Sequence, residues 1–268
     1  MPELPKKADI PKPPCDICRS TEHITIHHQE ILKSGVPVVA VEKLLPGIDT
    51  RGLYNENSEK FSEDHSYFKN GAGRSQHTAY SDILKNIFTT RKRPEFFEFL
   101  KGKNVVDLGA GMHPFVYSVA VESEASGYIA VDLWHGQHLK DELDEGVYGS
   151  RQAKSFPRVN AEKRIPASFI DEDMLTFLQR LPDHSVSITA FGLGDGIIKG
   201  QYAKEVNKEV QRVLHPNGIL FTDGLSGSPV GMEGNHKYIT EEGDIVEQGF
   251  LRSQNYLNVY MPKDSAGK

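Results

Sequence analysis

Two carboxylates and a glycine-rich turn are the residues of this chain best suited to hold a polar ligand. Asp107-Leu108-Gly109-Ala110-Gly111 follows the apolar run Asn104–Val106 and precedes a helical pattern. Glycines at such a junction let the backbone turn sharply and approach a ligand without side-chain obstruction. A Gly-x-Gly turn alone is a weak signal, because tight turns without ligands use it too. Asp132 ends the next apolar run, about two dozen residues on, where a carboxylate can accept hydrogen bonds from both hydroxyls of a ribose or simply cap a following helix. His77, Tyr80, His113, Asp195 and His236 flank the expected mouth of such a site. Each is a candidate base or orienting group, and each is equally at home as a surface or capping residue. Cys15-x-x-Cys18 with His23, His27 and His28 supplies ligand types for a small zinc knuckle formed by Cys15, Cys18, His23 and His27. The proline-rich surroundings offer few core residues, and the alternative is two exposed thiols on a polar hairpin.

The elements that must position these groups alternate along the chain. From Asn104 onward, the strand candidates NVVDLG, YIAVDL, ASFIDE, VSITAFGL and GILFTDG are separated by helical segments near 114–124, 174–181 and 201–214. That order is the signature of a parallel sheet covered by helices. The first strand is apolar until Asp107, so a buried strand delivers a carboxylate at its C-terminal end, where ligands bind in such sheets. IVEQGFL and YLNVYMP read as two further strands, joined around Ser253-Gln254-Asn255 in an antiparallel hairpin at one side of the sheet. Upstream, Tyr80, Ile83, Leu84, Ile87 and Phe88 follow helical spacing, and PEFFEFL opens with Pro94 in a position suited to a first helical turn. The β-branched run Val36–Val41 suggests a strand or hairpin. Residues 55–75 read as a long polar loop, and Gly136–Arg164 as a charged insertion, either a lid or a solvated loop. The proline- and lysine-rich residues 1–14 read as an extended lead-in.

Bulk properties narrow the function classes. The chain has 268 residues, 38% hydrophobic and 25% charged, within the range of soluble globular proteins. A net charge of −6 and a pI near 6.0 supply no overall attraction to phosphate backbones and disfavour nucleic acid as a partner. The sequence has no apolar run long enough to span a membrane and no secretory-type apolar stretch near residue 1, so the expected address is the cytoplasm. Arg91-Lys92-Arg93 reads as a solvated basic surface.

A nicotinamide dinucleotide would also use Asp132, but its fingerprint asks for a third glycine at position 114, where this chain has proline. Asp107 would moreover set negative charge beside a pyrophosphate. S-adenosylmethionine has no phosphate and carries a sulfonium and an ammonium group, so charge complementarity favours it. Over residues 76–262 the sequence resembles the class I S-adenosylmethionine-dependent methyltransferases of small-molecule type. NVVDLGAG is similar to that family's glycine-rich first motif and AVDLW to its acidic second motif. FIDEDMLTFLQRLPDHSVSITAFGLG is similar to its third and fourth motifs, and KEVQRVLHPNGILFTDG to its late helix, Asn-Gly turn and fifth strand.

The resemblance implies a Rossmann-like α/β fold with helices on both faces of a mostly parallel sheet. It implies that Gly109, Ala110 and Gly111 shape the loop beneath the methionine moiety, with Asp107 close to its amino group. Asp132 with Leu133 would meet the ribose. Asp173 with Met174 would meet adenine, Asp171 and Glu172 being close alternatives, and Phe191 and Gly192 would border the transferred methyl group. His113-Pro114 departs from the family pattern at the helix entrance. The expected organisation is a lead-in over 1–14, a cap or extension over 15–75, a methyltransferase domain over 76–262 and a tail over 263–268. The expected activity is methylation of a small-molecule acceptor. RNA or protein methylation, or non-catalytic cofactor binding, are the alternatives. The fourth strand ends in Phe191-Gly192-Leu193-Gly194 and lacks the Asn-Pro-Pro-aromatic sequence that would resemble amino-methylating nucleic-acid enzymes, and both cysteines lie far upstream of any cytosine-type nucleophile position.

Overall fold

The computed structural model describes residues 37–51, 53, 94–110, 115–132, 163–190, 200–222, 236–240, 245–246 and 256–260. In chain order its elements are α1 (Val41–Leu44), α2 (Pro94–Leu100), β1 (Asn104–Leu108), α3 (Phe115–Glu122), β2 (Gly127–Asp132), β3 (Ala167–Asp171), α4 (Met174–Arg180), β4 (Val186–Ala190), α5 (Gly200–Val213), β5 (Leu220–Thr222), β6 (His236–Thr240), β7 (Ile245–Val246) and β8 (Tyr256–Tyr260). The strands form one sheet in the order β3-β2-β1-β4-β5-β8-β6-β7. The first five run parallel. β8 then pairs antiparallel with β5, and β6 antiparallel with β8 and β7. This is the expected Rossmann-like α/β sheet.

Period-two alternation sorts the strand residues between two apolar layers. Val105, Tyr128, Ala130, Phe169 and Phe221 pack with Phe96 and Leu100 of α2 and Val116, Val119 and Ala120 of α3. Val106, Leu108, Ile129, Val131, Ile188 and Leu220 pack on the opposite face with Val41 of α1, Phe177 and Leu178 of α4, and Val206, Val210 and Val213 of α5. Burial on both faces explains why β2 is apolar at nearly every position, whereas β1 and β4 carry Asp107, Ser187 and Thr189 inside the layers, each with a hydrogen-bond partner. α5 touches the sheet along one stripe and turns Lys204, Glu205, Lys208 and Gln211 outward.

The C-terminal antiparallel hairpin is present, with β6 and β7 as its arms. The two segments expected to pair, around 245–251 and 256–262, are instead separated in the sheet by β6. β6 is polar at its ends, HKYIT, which hides it from an apolar-run reading. Among the described residues 37–41 of the β-branched run, a single parallel bridge forms, between Val38 and Ala167 at the β3 edge. Val39 N–H donates to Ala167 O and Ala167 N–H to Pro37 O, both at 2.9 Å, and the chain then turns into α1 at Val41. The helical pattern around 80–88 and the 136–162 part of the charged insertion lie outside the described residues.

The segment after α1 buries Leu45, Ile48 and Leu53 in the second layer and is fastened by polar contacts as well. Arg180 at the end of α4 donates from Nε and Nη2 to both oxygens of Glu172, at 2.7–3.0 Å. Its Nη1 donates to the carbonyls of Asp49 and Arg51, at 3.2 and 2.6 Å. The Glu172 and Arg180 side chains are 13% and 16% exposed, so each charge depends on the other. Asn104 adds a bond from Nδ2 to Leu44 O at 2.7 Å. Arg180→Ala is expected to lower unfolding stability in urea by about 2–3 kcal/mol, because Glu172 is left half-buried without its partner. Amide exchange over 45–51 should quicken in that variant, and adding Glu172→Gln should recover part of the loss.

Candidate functional site

Asp107 occupies the fourth position of β1, where the strand register sets it opposite Ala130 of β2 and Thr189 of β4. It is 3% exposed. Tyr128 Oη donates to its Oδ2 and Thr189 Oγ1 to its Oδ1, both at 2.8 Å. Tyr128 is itself fixed edge-on against Tyr117, ring centroids 5.5 Å apart, and the Tyr117 hydroxyl donates to Ile165 O at 2.9 Å. Burial pushes the Asp107 carboxyl up to about 7, the two hydroxyl donors oppose that rise, and the nearby Asp132 carboxylate adds to it. Burial and the Asp107 charge push the Tyr128 phenol well above its ordinary range.

Gly109 takes φ +68° immediately after β1, a left-handed conformation that glycine adopts without strain. The turn bends toward β2: the N–H groups of Gly109 and Ala110 both donate to Val131 O, at 2.9 and 3.2 Å. Those two amides are therefore committed to the sheet rather than presented to an anion. Asp132 is half-buried at the end of β2 and two residues beyond Ala130, on the same face as Asp107 by alternation.

Beyond β3, the acidic turn divides its carboxylates. Glu172 accepts from Arg180 through both oxygens. Asp173 caps α4, its Oδ1 accepting from Thr176 N at 3.0 Å and from Thr176 Oγ1 at 3.3 Å. Its Oδ2 accepts from Tyr202 Oη at 2.6 Å. Met174 opens α4 and is half-buried against the α4–α5 layer.

Asp107, Gly109, Ala110, Asp132, Asp173 and Met174 thus gather at the C-terminal ends of three neighbouring parallel strands. His236 begins β6, four strands from β1 and therefore about 19 Å away across the sheet, apart from that group. Gly111, Leu133, Phe191, Gly192, His77, Tyr80, His113, Asp195, Cys15, Cys18, His23 and His27 lie outside the described residues. Among the described residues no cluster of His, Cys, Asp and Glu is arranged to hold a metal ion, and no helix is long and apolar enough to cross a membrane. Three groups of the site escaped the sequence reading. Tyr128 and Thr189 follow from aligning the strands with Asp107, whereas Tyr202 lies 29 residues from Asp173 and gives no local signal.

No protein-family model and no curated protein matches the chain. Among solved structures it is similar to spermidine synthase from Thermotoga maritima, at 10% identity and TM-score 0.42, over 69% of this chain and 59% of that one. It is similar to Arabidopsis thaliana protein arginine methyltransferase 10, at 14% identity and TM-score 0.36, over 65% and 40%. It is also similar to Haemonchus contortus phosphoethanolamine N-methyltransferase 1, solved with phosphoethanolamine and S-adenosylhomocysteine, at 15% identity and TM-score 0.34, over 64% and 31%. The chain spans less than two thirds of the length of each. Likeness of this size does not bear on activity, and the fold rests on the strand order itself.

The raised carboxyl at Asp107 fixes a sign for stability against pH. Its folded value of about 7 lies above the ordinary carboxyl value of 3.8, so the folded state holds the proton more tightly and loses stability as pH rises from about 4 through 7. Asp107→Asn should flatten that slope. In urea titrations the variant should match the parent near pH 4 and exceed it by on the order of 2–4 kcal/mol at pH 8.

Proposed function

We propose that the chain binds S-adenosylmethionine at the C-terminal ends of β1, β2 and β3 and transfers its methyl group to a small-molecule acceptor. The observation that carries this is the convergence of Asp107, Asp132 and Asp173 on adjacent strand ends. They sit beside the point between β1 and β4 where the strand order reverses, the place at which open α/β sheets bind ligands. Three carboxylates with two loop amides turned away toward Val131 O suit a cationic ligand and oppose a pyrophosphate. Proline at position 114 points the same way.

In this arrangement Asp132 accepts from the ribose hydroxyls, Asp173 faces the adenine amine, and Asp107 lies nearest the ammonium group. Methyl transfer is a direct displacement in which the sulfonium becomes a neutral thioether. The protein's part is to hold donor and acceptor in line and, where the acceptor must lose a proton, to place a base. The overall negative charge favours a small acceptor over RNA, and protein acceptors remain the alternative within the same chemistry. A purely binding role is separated from catalysis by measuring turnover of the donor.

Calorimetric titration with S-adenosylmethionine, S-adenosylhomocysteine and NAD tests the proposal. The first two are expected to bind and NAD to give no heat; NAD binding alone would overturn it. Asp132→Ala should weaken S-adenosylmethionine by about a hundredfold or more through two lost charge-assisted bonds, with the thermal unfolding profile preserved. Because an ammonium group favours the ionised carboxyl, S-adenosylmethionine affinity should rise with pH up to about 7 and level off above it. The same titrations on Asp107→Asn should lose that dependence.

A further inference from the structure

Asp173 and Tyr202 form a pair whose hydrogen-bonding polarity is fixed. Tyr202 stands in the first turn of α5 and is half-buried. Its hydroxyl reaches across to Asp173 Oδ2 at 2.6 Å, the short distance of a charge-assisted O–H···O bond. The other carboxylate oxygen is occupied by the backbone and side chain of Thr176, so the carboxylate is held from both sides. Burial, then the neighbouring Asp173 charge, raise the Tyr202 ionisation far above neutrality. The phenol therefore keeps its single proton, and that proton points at Asp173. A hydroxyl that has committed its proton can only accept through its remaining lone pairs, and a carboxylate is acceptor-only. Oδ2 and the Tyr202 oxygen thus present acceptors, and no donor, to whatever approaches their shared edge.

We propose that Tyr202 is a specificity-determining residue, a second acceptor that with Asp173 selects an amino group over a carbonyl at position 6 of the purine. This rests on the donor-binding assignment above and names which part of the donor the pair reads. Adenine offers two N–H donors there, which satisfy both oxygens. Hypoxanthine offers a carbonyl, whose lone pairs would face those of the Tyr202 oxygen and of Oδ2, an acceptor-to-acceptor contact in place of the two hydrogen bonds. The bond also ties α5, which follows β4, to the acidic turn after β3, so the strand ends on either side of the site are held in one geometry.

The test is calorimetric titration of S-adenosylhomocysteine and its deaminated analogue, S-inosylhomocysteine, into the parent protein and Tyr202→Phe, with thermal melts of both. The parent should prefer the adenosyl compound by at least about thirtyfold, and the variant should lose at least about fivefold of that preference. The preference is a ratio measured on one sample, so incomplete folding of the variant cancels from it. A preference unchanged in Tyr202→Phe overturns the role of Tyr202 while leaving the donor site standing. Failure of the folded parent to bind S-adenosylhomocysteine overturns the donor-binding assignment, and this inference with it.

Discussion

Asp107 is buried at the end of the central strand, and the sheet must satisfy it from within. A carboxylate out of reach of water is costly unless its oxygens are hydrogen-bonded. Its two donors come from different strands, Tyr128 on β2 and Thr189 on β4. A one-residue slip of either neighbour would send that hydroxyl to the opposite face and strand the carboxyl among apolar side chains. Because β1, β2 and β4 are buried on both faces, burial alone does not distinguish one register from the next. The polar trio therefore supplies register where hydrophobic patterning does not. Gly109 follows directly, and its turn onto Val131 O holds only while β1 and β2 keep that register.

The acidic turn after β3 is organised by arginines rather than by apolar packing. Arg180 fixes the Glu172 end of the turn and reaches the carbonyls of residues 49 and 51. Arg212 of α5 satisfies the carbonyls of Leu178 and Leu181 at the other end of α4, both at 2.8 Å. A seven-residue helix is too short to be stable alone. These forks, with the Asp173 cap, complete the backbone bonds that its termini leave open. A planar guanidinium with fixed donors suits that task better than an ammonium group. Adjacent carboxylates are thereby given opposite roles. Glu172 is neutralised inside the fold, and Asp173 is turned toward α5 and the strand ends.

The parallel sheet was legible because its strands are buried on both faces and its helices carry one apolar stripe. The bounds expected for the helices near 114–124, 174–181 and 201–214 fall within two residues of α3, α4 and α5. Asp107, Asp132 and Asp173 were legible as a group because strand ends in a parallel sheet converge on one edge. Two kinds of feature were not legible. β6 carries Lys237 between His236 and Tyr238 and lies between β8 and β7, an insertion that short antiparallel runs cannot reveal without their pairing partners. Val36–Val41 has the composition of a strand, yet among its described residues only Val38 bridges β3, since α1 begins at Val41 and buries that residue in the second layer. Burial overrode β-propensity there.

The carboxyls of the site differ in the donors that hold them. Asp107 is held by two hydroxyl rotors, each of which can donate or accept, so either protonation state of the carboxyl can be satisfied by turning a hydrogen. That freedom lets a buried acid titrate near neutrality without leaving a polar group unpaired. Asp173 is held differently, by the Thr176 amide, whose hydrogen is fixed in place, as well as by the Tyr202 phenol. The fold thus places a carboxyl held by two hydroxyl rotors at the end of β1 and one held by a backbone amide at the start of α4. A donor whose ammonium and adenine ends make opposite demands, one on charge and the other on hydrogen-bond polarity, matches that division.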